Sequence, residues 1–301
     1  MAQLKDKVKT SFSETRNVVL GAQILLGFQY NAVFRPGFDH LSPTARWTEA
    51  VALGLLLTAM LLLLAPTSFH HIAQRGEATA RQLRFNKLLI GWALLPFALA
   101  LGANLFMATE RPLGVATAVT LGAAGSAVAL VSWFGIELMH AAKRHGRERD
   151  GGSPAEEPTP LKDKINQILE ESRIVLPGAQ ALLGFQLAAY LTDAFDRLPE
   201  GSKLVHTASL LLIALAVILL MTPAPLHRIV YDGEEDPDFN RAATRLVLAA
   251  MLPLALGLAG ELYVVLARIA GDTLGIVTAV AAALAFLGAW FGYPLLARRG
   301  A

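Results

Sequence analysis

Eight apolar runs punctuate the chain, at 18–34, 50–66, 88–109 and 112–136, and again at 174–192, 204–226, 246–267 and 273–296. An α-helix needs about 20 apolar residues to cross a hydrocarbon layer of about 30 Å, and each run is near that length. Continuous apolarity, unlike the alternation of a barrel strand, predicts helices, which satisfy their own backbone where no water can. The pattern therefore predicts an all-α integral membrane protein with eight transmembrane helices.

The runs fall into two sets because the chain repeats itself. A shift of 157 residues places Leu4-Lys5-Asp6-Lys7 on Leu161-Lys162-Asp163-Lys164, and 14–29 on 171–186, where eleven of sixteen positions are identical. The shared pattern is E-[TS]-R-x-V-x-x-G-A-Q-x-L-L-G-F-Q. The same register pairs Pro66 with Pro223, His70 with His227, Pro96 with Pro253, and Trp133-Phe134-Gly135 with Trp290-Phe291-Gly292. Between the copies, 143–160 reads KRHGRERDGGSPAEEPTP, charged and rich in Gly and Pro, the composition of a flexible tether. The expected organisation is a four-helix membrane repeat over 1–142, a cytoplasmic linker over 143–160 and a second four-helix repeat over 161–301. Four crossings per copy make the repeats parallel, with a pseudo-two-fold axis along the membrane normal.

Charge sets the orientation. Lys5, Lys7, Lys9, Arg16, Arg75, Arg81, Arg84, Lys87 and the basic linker fall on one side, against Arg35, Arg46 and Arg111 on the other. The second copy repeats the split, with Lys162, Lys164, Arg173, Arg228, Arg241, Arg245, Arg298 and Arg299 against Arg197, Lys203 and Arg268. Basic residues stay inside, so both termini and the linker are expected in the cytoplasm, with the protein multi-pass in a bacterial inner membrane. Composition agrees: 54% hydrophobic against 17% charged residues is too apolar for a soluble surface, and a net charge of +2 gives no footprint for nucleic acid. The polar opening of the chain, MAQLKDKVKTSFSETR, lacks the form of a cleavable signal, so the first helix is expected to be retained.

The motif Glu-[Thr/Ser]-Arg followed by Gly-Ala-Gln-x-Leu-Leu-Gly-Phe-Gln, with Pro and then His after the second run, resembles the DUF6328 family of small bacterial four-helix membrane proteins. The closer match is Arg173-Ile174-Val175-Leu176-Pro177-Gly178-Ala179-Gln180; the first copy departs at Leu20, where the second has Pro177. The resemblance covers nearly the whole chain, once per copy, and implies a fused pair of membrane units. Members often carry the label of sodium:proton antiporter.

Polar residues inside apolar runs are costly in lipid and mark candidate sites. On the first helix of each copy, Gln23 and Gln180 share a face with Gly27 and Gly184, which places the two amides on a candidate shared axis. Ordinary amide and glycine packing between helices explains the same face without a ligand. Gln29 and Gln186 lie about 120° around the helix and are secondary candidates. Glu261 interrupts the run 246–267, where the first copy has Asn104; its nearest expected cation is Arg268. At the cytoplasmic mouth, Glu14 and Arg16 with Glu171 and Arg173 form either membrane anchors or a gate in which Glu of one copy meets Arg of the other. His70 and His227 follow the second helix as interfacial anchors or sensors of cytoplasmic pH. His140 and His206 sit at helix ends, and no histidine spacing fits a haem or H-E-x-x-H.

The chain has no cysteine, which removes thiolate and Cys-metal chemistry, and it carries no nucleotide or hydrolase motif. No enzyme activity, metal or cofactor is expected. The expected partners are the lipid bilayer and a monovalent cation or proton, and a further homo-oligomer is compatible with such helices. Together these readings predict a small channel or transporter for a monovalent cation or proton. The alternative is a non-transporting scaffold or sensor acting through its cytoplasmic loops and linker.

Overall fold

The computed structural model describes residues 18–75, 77, 79–131, 134, 159–229, 231 and 234–299. They form an all-helical bundle, with no strand among them. In the first copy α1 spans Val18–Ala32, α2 Pro43–Ile72, α3 Ala80–Leu113 and α4 Val115–Leu130. In the second, α5 spans Leu161–Tyr190, α6 Glu200–Met221, α7 Pro237–Ala270 and α8 Asp272–Arg299, the last passing through a π-helical stretch at Gly288–Gly292. Short helices at Pro36–His40, Asp193–Asp196 and Pro223–Ile229 fill the connections.

Local chemistry explains where the helices start and stop. Ser42, Thr79 and Asp236 cap α2, α3 and α7 by accepting hydrogen bonds from first-turn amides. The hairpins α3–α4 and α7–α8 turn on single glycines, Gly114 at φ 80° and Gly271 at φ 90°, a left-handed backbone that side chains disfavour. Both the turns and the helix bounds recur 157 residues apart, so α3 maps onto α7 residue for residue. The apolar runs sit inside longer helices: α2 begins before residue 50 and runs through Pro66 to Ile72, whereas its counterpart breaks between α6 and Pro223–Ile229.

Among the described residues, five helices are long and apolar enough to cross a membrane: Pro43–Ile72, Ala80–Glu110, Glu200–Met221, Pro237–Ala270 and Asp272–Arg299. Against the eight expected crossings, five helices thus have the length and apolarity of a crossing among the described residues. Val18–Ala32 and Val115–Leu130, as far as they are described, are apolar stretches of 15 and 16 residues, and α5 begins with the charged turns of Leu161–Glu171 before its apolar half. The outer surface is apolar as well: Trp92, Val128, Leu204, Leu211, Leu284 and Leu296 each expose more than half of their surface. Such a belt of large apolar side chains suits lipid rather than water. The expected linker 143–160 lies, apart from its last two residues, outside the described residues.

Within each copy the second and third helices form the tightest pair, and the fourth packs on the third. Close approach depends on small residues. At Gly102 an added methyl would run into Ser126 and the Gly122 carbonyl, and at Gly257 it would meet Ile213 Cγ1 at 2.6 Å. Between copies, α2 packs against α7 and against the π-helical stretch of α8, where Trp290 Nε1 donates to the Leu61 carbonyl at 3.0 Å. A second seam joins α1 to α5: Gly178 receives the side chain of Gln23, and Gly27 receives the ring of Phe185.

Candidate functional site

The most polar part of the interior lies around Glu261. It stands on α7 among Leu258, Leu262 and Val265, all buried, and its own side chain is fully enclosed. Its partner is His206 on α6, whose Nδ1 lies 2.9 Å from Oε1 and 3.2 Å from Oε2. The other ring nitrogen, Nε2, lies 3.2 Å from the backbone carbonyl of Gln186 on α5. The rings of Phe34 and Phe195 flank the imidazole at 5.5 and 5.3 Å and close the site to solvent. Tyr30 on α1 reaches the same stretch of α7, where its hydroxyl donates to the Leu258 carbonyl at 2.8 Å.

Hydrogen-bond chemistry restricts the protons here. A carbonyl only accepts, so Nε2 of His206 carries a hydrogen toward Gln186. One further proton then serves the contact between Nδ1 and Glu261. It resides on the ring, giving an imidazolium–carboxylate pair, or on the carboxyl, giving a neutral pair. The observed distances suit either arrangement, and the two differ only by transfer of one proton between Nδ1 and the carboxylate.

The repeat register places a second set of polar residues at the equivalent positions of the first copy. Shifted by 157 residues, Gln186, His206 and Glu261 become Gln29, Glu49 and Asn104. All three sit on the equivalent helices α1, α2 and α3, and Gln29 Nε2 donates to Asn104 Oδ1 at 3.1 Å. Asn104 Nδ2 in turn donates to the Ala100 carbonyl. Glu49 is 1% exposed, and its Oε1 has no hydrogen-bond partner among the described residues. Gln29 Oε1 and both amide atoms of Gln186 are equally unpartnered there. Such orphaned buried groups are uncommon in a packed interior, and here they occur elsewhere as well, at Gln23 Oε1, Ser68 Oγ and Gln82 Oε1. One carboxyl serves each copy, on the second helix in the first and on the third in the second.

Several expectations change at this point. Gln23 is fully buried and donates weakly to the Val175 carbonyl at 3.5 Å, but Gln180 is exposed, its amide 3.9 Å from Met221 Sδ. The two amides therefore do not meet on a shared axis; α1 turns its Gln face to α5, and α5 turns the matching face outward. Arg268 does not pair with Glu261. Its guanidinium reaches Asp39 Oδ1 at 3.0 Å and lies over the Phe38 ring, which leaves Glu261 to His206.

At the opposite end of the bundle, Glu171 is buried and does bridge the copies, but to His71 on α2, with Nε2 to Oε2 at 2.5 Å. The expected Glu–Arg gate is not formed by this copy's residues: Arg173 is exposed, 4.0 Å from Glu170 on its own helix. His70 is buried edge-on to His71, and His227 packs on the Phe239 ring at 4.4 Å. Glu14 and Arg16 lie outside the described residues. Nearby, Lys164 Nζ meets Glu77 at 2.5 Å, and Thr159 N donates to the same carboxylate at 2.6 Å. Partial burial pushes Glu77 up, but these bonds outweigh it and hold the carboxyl below its usual range.

The polar layers are far apart. Glu171 and Gln186 are fifteen positions apart on α5, or about 22 Å at 1.5 Å per residue. Leu26, Leu56, Met60, Leu63, Met251 and Leu254 are buried along the helix lengths between those levels. His206 and Glu49 are the site residues that sequence reasoning missed. The repeat register contained the signal, since a Glu/Asn pair in one copy faces a His/Glu pair in the other. Among the described residues no group of three His, Asp or Glu side chains is placed to hold a metal.

No curated protein and no solved structure matches the chain. The family description DUF6328, a family of unknown function, matches twice, over residues 3–137 and 157–294. These two segments cover most of the chain and coincide with the two helical copies, so the protein belongs to the DUF6328 family and carries its unit in tandem.

Proposed function

We propose that the protein crosses a bacterial inner membrane eight times, as two parallel four-helix copies with both termini and the linker in the cytoplasm, and moves a proton or a monovalent cation. The observation that carries the transport reading is the enclosed pair of Glu261 and His206, together with a buried carboxyl, Glu49, and a Gln29–Asn104 hydrogen bond at the repeat-equivalent positions of the first copy. A carboxyl inside a membrane helix costs several kcal/mol unless it serves a partner or a site, and here each copy encloses one, Glu49 in the first and Glu261 in the second. The shared proton between His206 and Glu261 favours the proton as cargo. The two-fold relation between copies is approximate, since Gln23 and Gln180 differ in burial.

The topology has a direct test, because a chain without cysteine accepts single labels cleanly. In intact cells, an impermeant maleimide is expected to label Gly37→Cys and to reach Ser153→Cys only after the membrane is opened. The reverse pattern contradicts the orientation.

The function is tested by flux in liposomes. Purified protein is expected to raise proton, sodium or potassium flux above that of empty liposomes under a pH or voltage gradient. Absence of flux for all three supports the second reading, a scaffold or sensor. That reading draws on the packing of Gln23 into Gly178 and on the apolar layer between the polar ends, both of which suit a bundle held together for its own sake.

A further inference from the structure

A cavity of about 450 Å³ opens where α2 and α8 end and α5 and α7 begin. Its wall carries Arg75, Lys164, Arg241, Arg245 and Arg298, drawn from both copies. Three acidic side chains neutralise part of this wall: Glu77 takes Lys164, Asp238 takes Arg241, and Glu171 takes His71. Arg75, Arg245 and Arg298 face the same cavity with no acidic partner among the described residues.

Three guanidiniums converging on one hollow repel each other unless an anion sits between them. Arg forks match phosphate oxygens two at a time, which makes a phosphate ester the ligand they suit best. Asn240 and Thr244 add neutral hydrogen-bonding groups on the same wall, and the first turns of α5 and α7 bring positive helix ends to this side. The volume falls within the range of small-molecule sites, larger than a bare ion requires. Arg75 also holds a left-handed backbone, φ 53°, uncommon for a residue with a side chain.

We infer that this cavity is a binding site for a phosphate ester, supplied by an anionic phospholipid head group or by a soluble organophosphate, with Arg75, Arg245 and Arg298 as its principal contacts.

The test uses the full-length protein in nanodiscs of phosphatidylcholine. One arm titrates inorganic pyrophosphate by calorimetry; the other adds phosphatidylglycerol to the disc and counts retained lipid by native mass spectrometry. Each arm compares wild type with the double variant Arg245→Gln/Arg298→Gln and with Arg84→Gln. Arg84 is the exposed repeat counterpart of Arg241 and lies outside the cavity lining. The expected result is saturable binding that weakens about tenfold or more in the double variant and is unchanged in Arg84→Gln. Retention of phosphatidylglycerol alone assigns the site to lipid head groups, and binding of pyrophosphate assigns it to soluble phosphate compounds. Saturable binding of neither probe, or an equal loss in Arg84→Gln, overturns the inference.

Discussion

Replacing His206 by Ala is expected to cost the folded protein about 3–5 kcal/mol, read as a shift in its unfolding by sodium dodecyl sulfate in mixed micelles. The cost arises because Glu261 loses its hydrogen-bonding partner and the Gln186 carbonyl its donor, in a site that Phe34 and Phe195 seal from water. His206→Glu is expected to do as much harm, by setting two carboxyls against each other. The double variant His206→Glu/Glu261→Asn is the informative case. It rebuilds in the second copy the Glu and Asn that the first copy holds at 49 and 104. If the triads are equivalent, the double variant recovers at least half of the single variant's loss, a coupling readily resolved by a double-mutant cycle. Simple addition of the two losses contradicts the equivalence.

Gly178→Ala is the second change expected to have a large effect. A methyl there would overlap the Gln23 side chain down to its Cβ at 2.5 Å, which no rotamer relieves, so α1 and α5 must separate. Overpacking of this kind costs about 1–3 kcal/mol. The repeat counterpart, Gly21, is the control: a methyl there reaches Phe97 Cζ at 3.7 Å, an ordinary contact. Gly21→Ala is therefore expected to be neutral or to stabilise by up to about 1 kcal/mol through helix propensity. Unfolding in the same micelles checks both; equal effects at the two glycines contradict the asymmetric seam.

Much of this architecture was legible in the residues. Apolar run length and the 157-residue register predicted the helices, and their bounds recur with that offset, α3 on α7 and α4 on the first part of α8. Glu261 was legible too, as a lone carboxylate in an apolar run. Its partner was not, because His206 reads as a helix-end histidine until α6 is packed against α7. The outward turn of Gln180 was also hidden. Both copies carry the same Gly-Ala-Gln motif, so periodicity assigns both the same helix face. What separates them is tertiary: Tyr30 and Asn31 tie α1 to the Leu258 and Phe185 carbonyls, while the second copy has Leu187 and Ala188 at those positions. Arg268 follows the same logic. Seven residues along the helix from Glu261, it finds Asp39 of the other copy instead.

The asymmetry has a functional meaning within the proposal. The two triads occupy repeat-equivalent positions but differ in their contacts and place their carboxyls on different helices, Glu261 against His206 in one copy and Glu49, with no partner for its Oε1 among the described residues, in the other. A duplicated unit free to diverge can assign proton binding to one copy and a polar anchor to the other.

The most direct measurement of the central claim is proton flux into liposomes containing purified wild-type protein, Glu261→Gln or Glu49→Gln, with each variant first checked for unchanged unfolding. The account predicts that Glu261→Gln lowers flux about tenfold or more, because an amide still accepts from His206 but releases no proton. Wild-type flux in a correctly folded Glu261→Gln protein would contradict it.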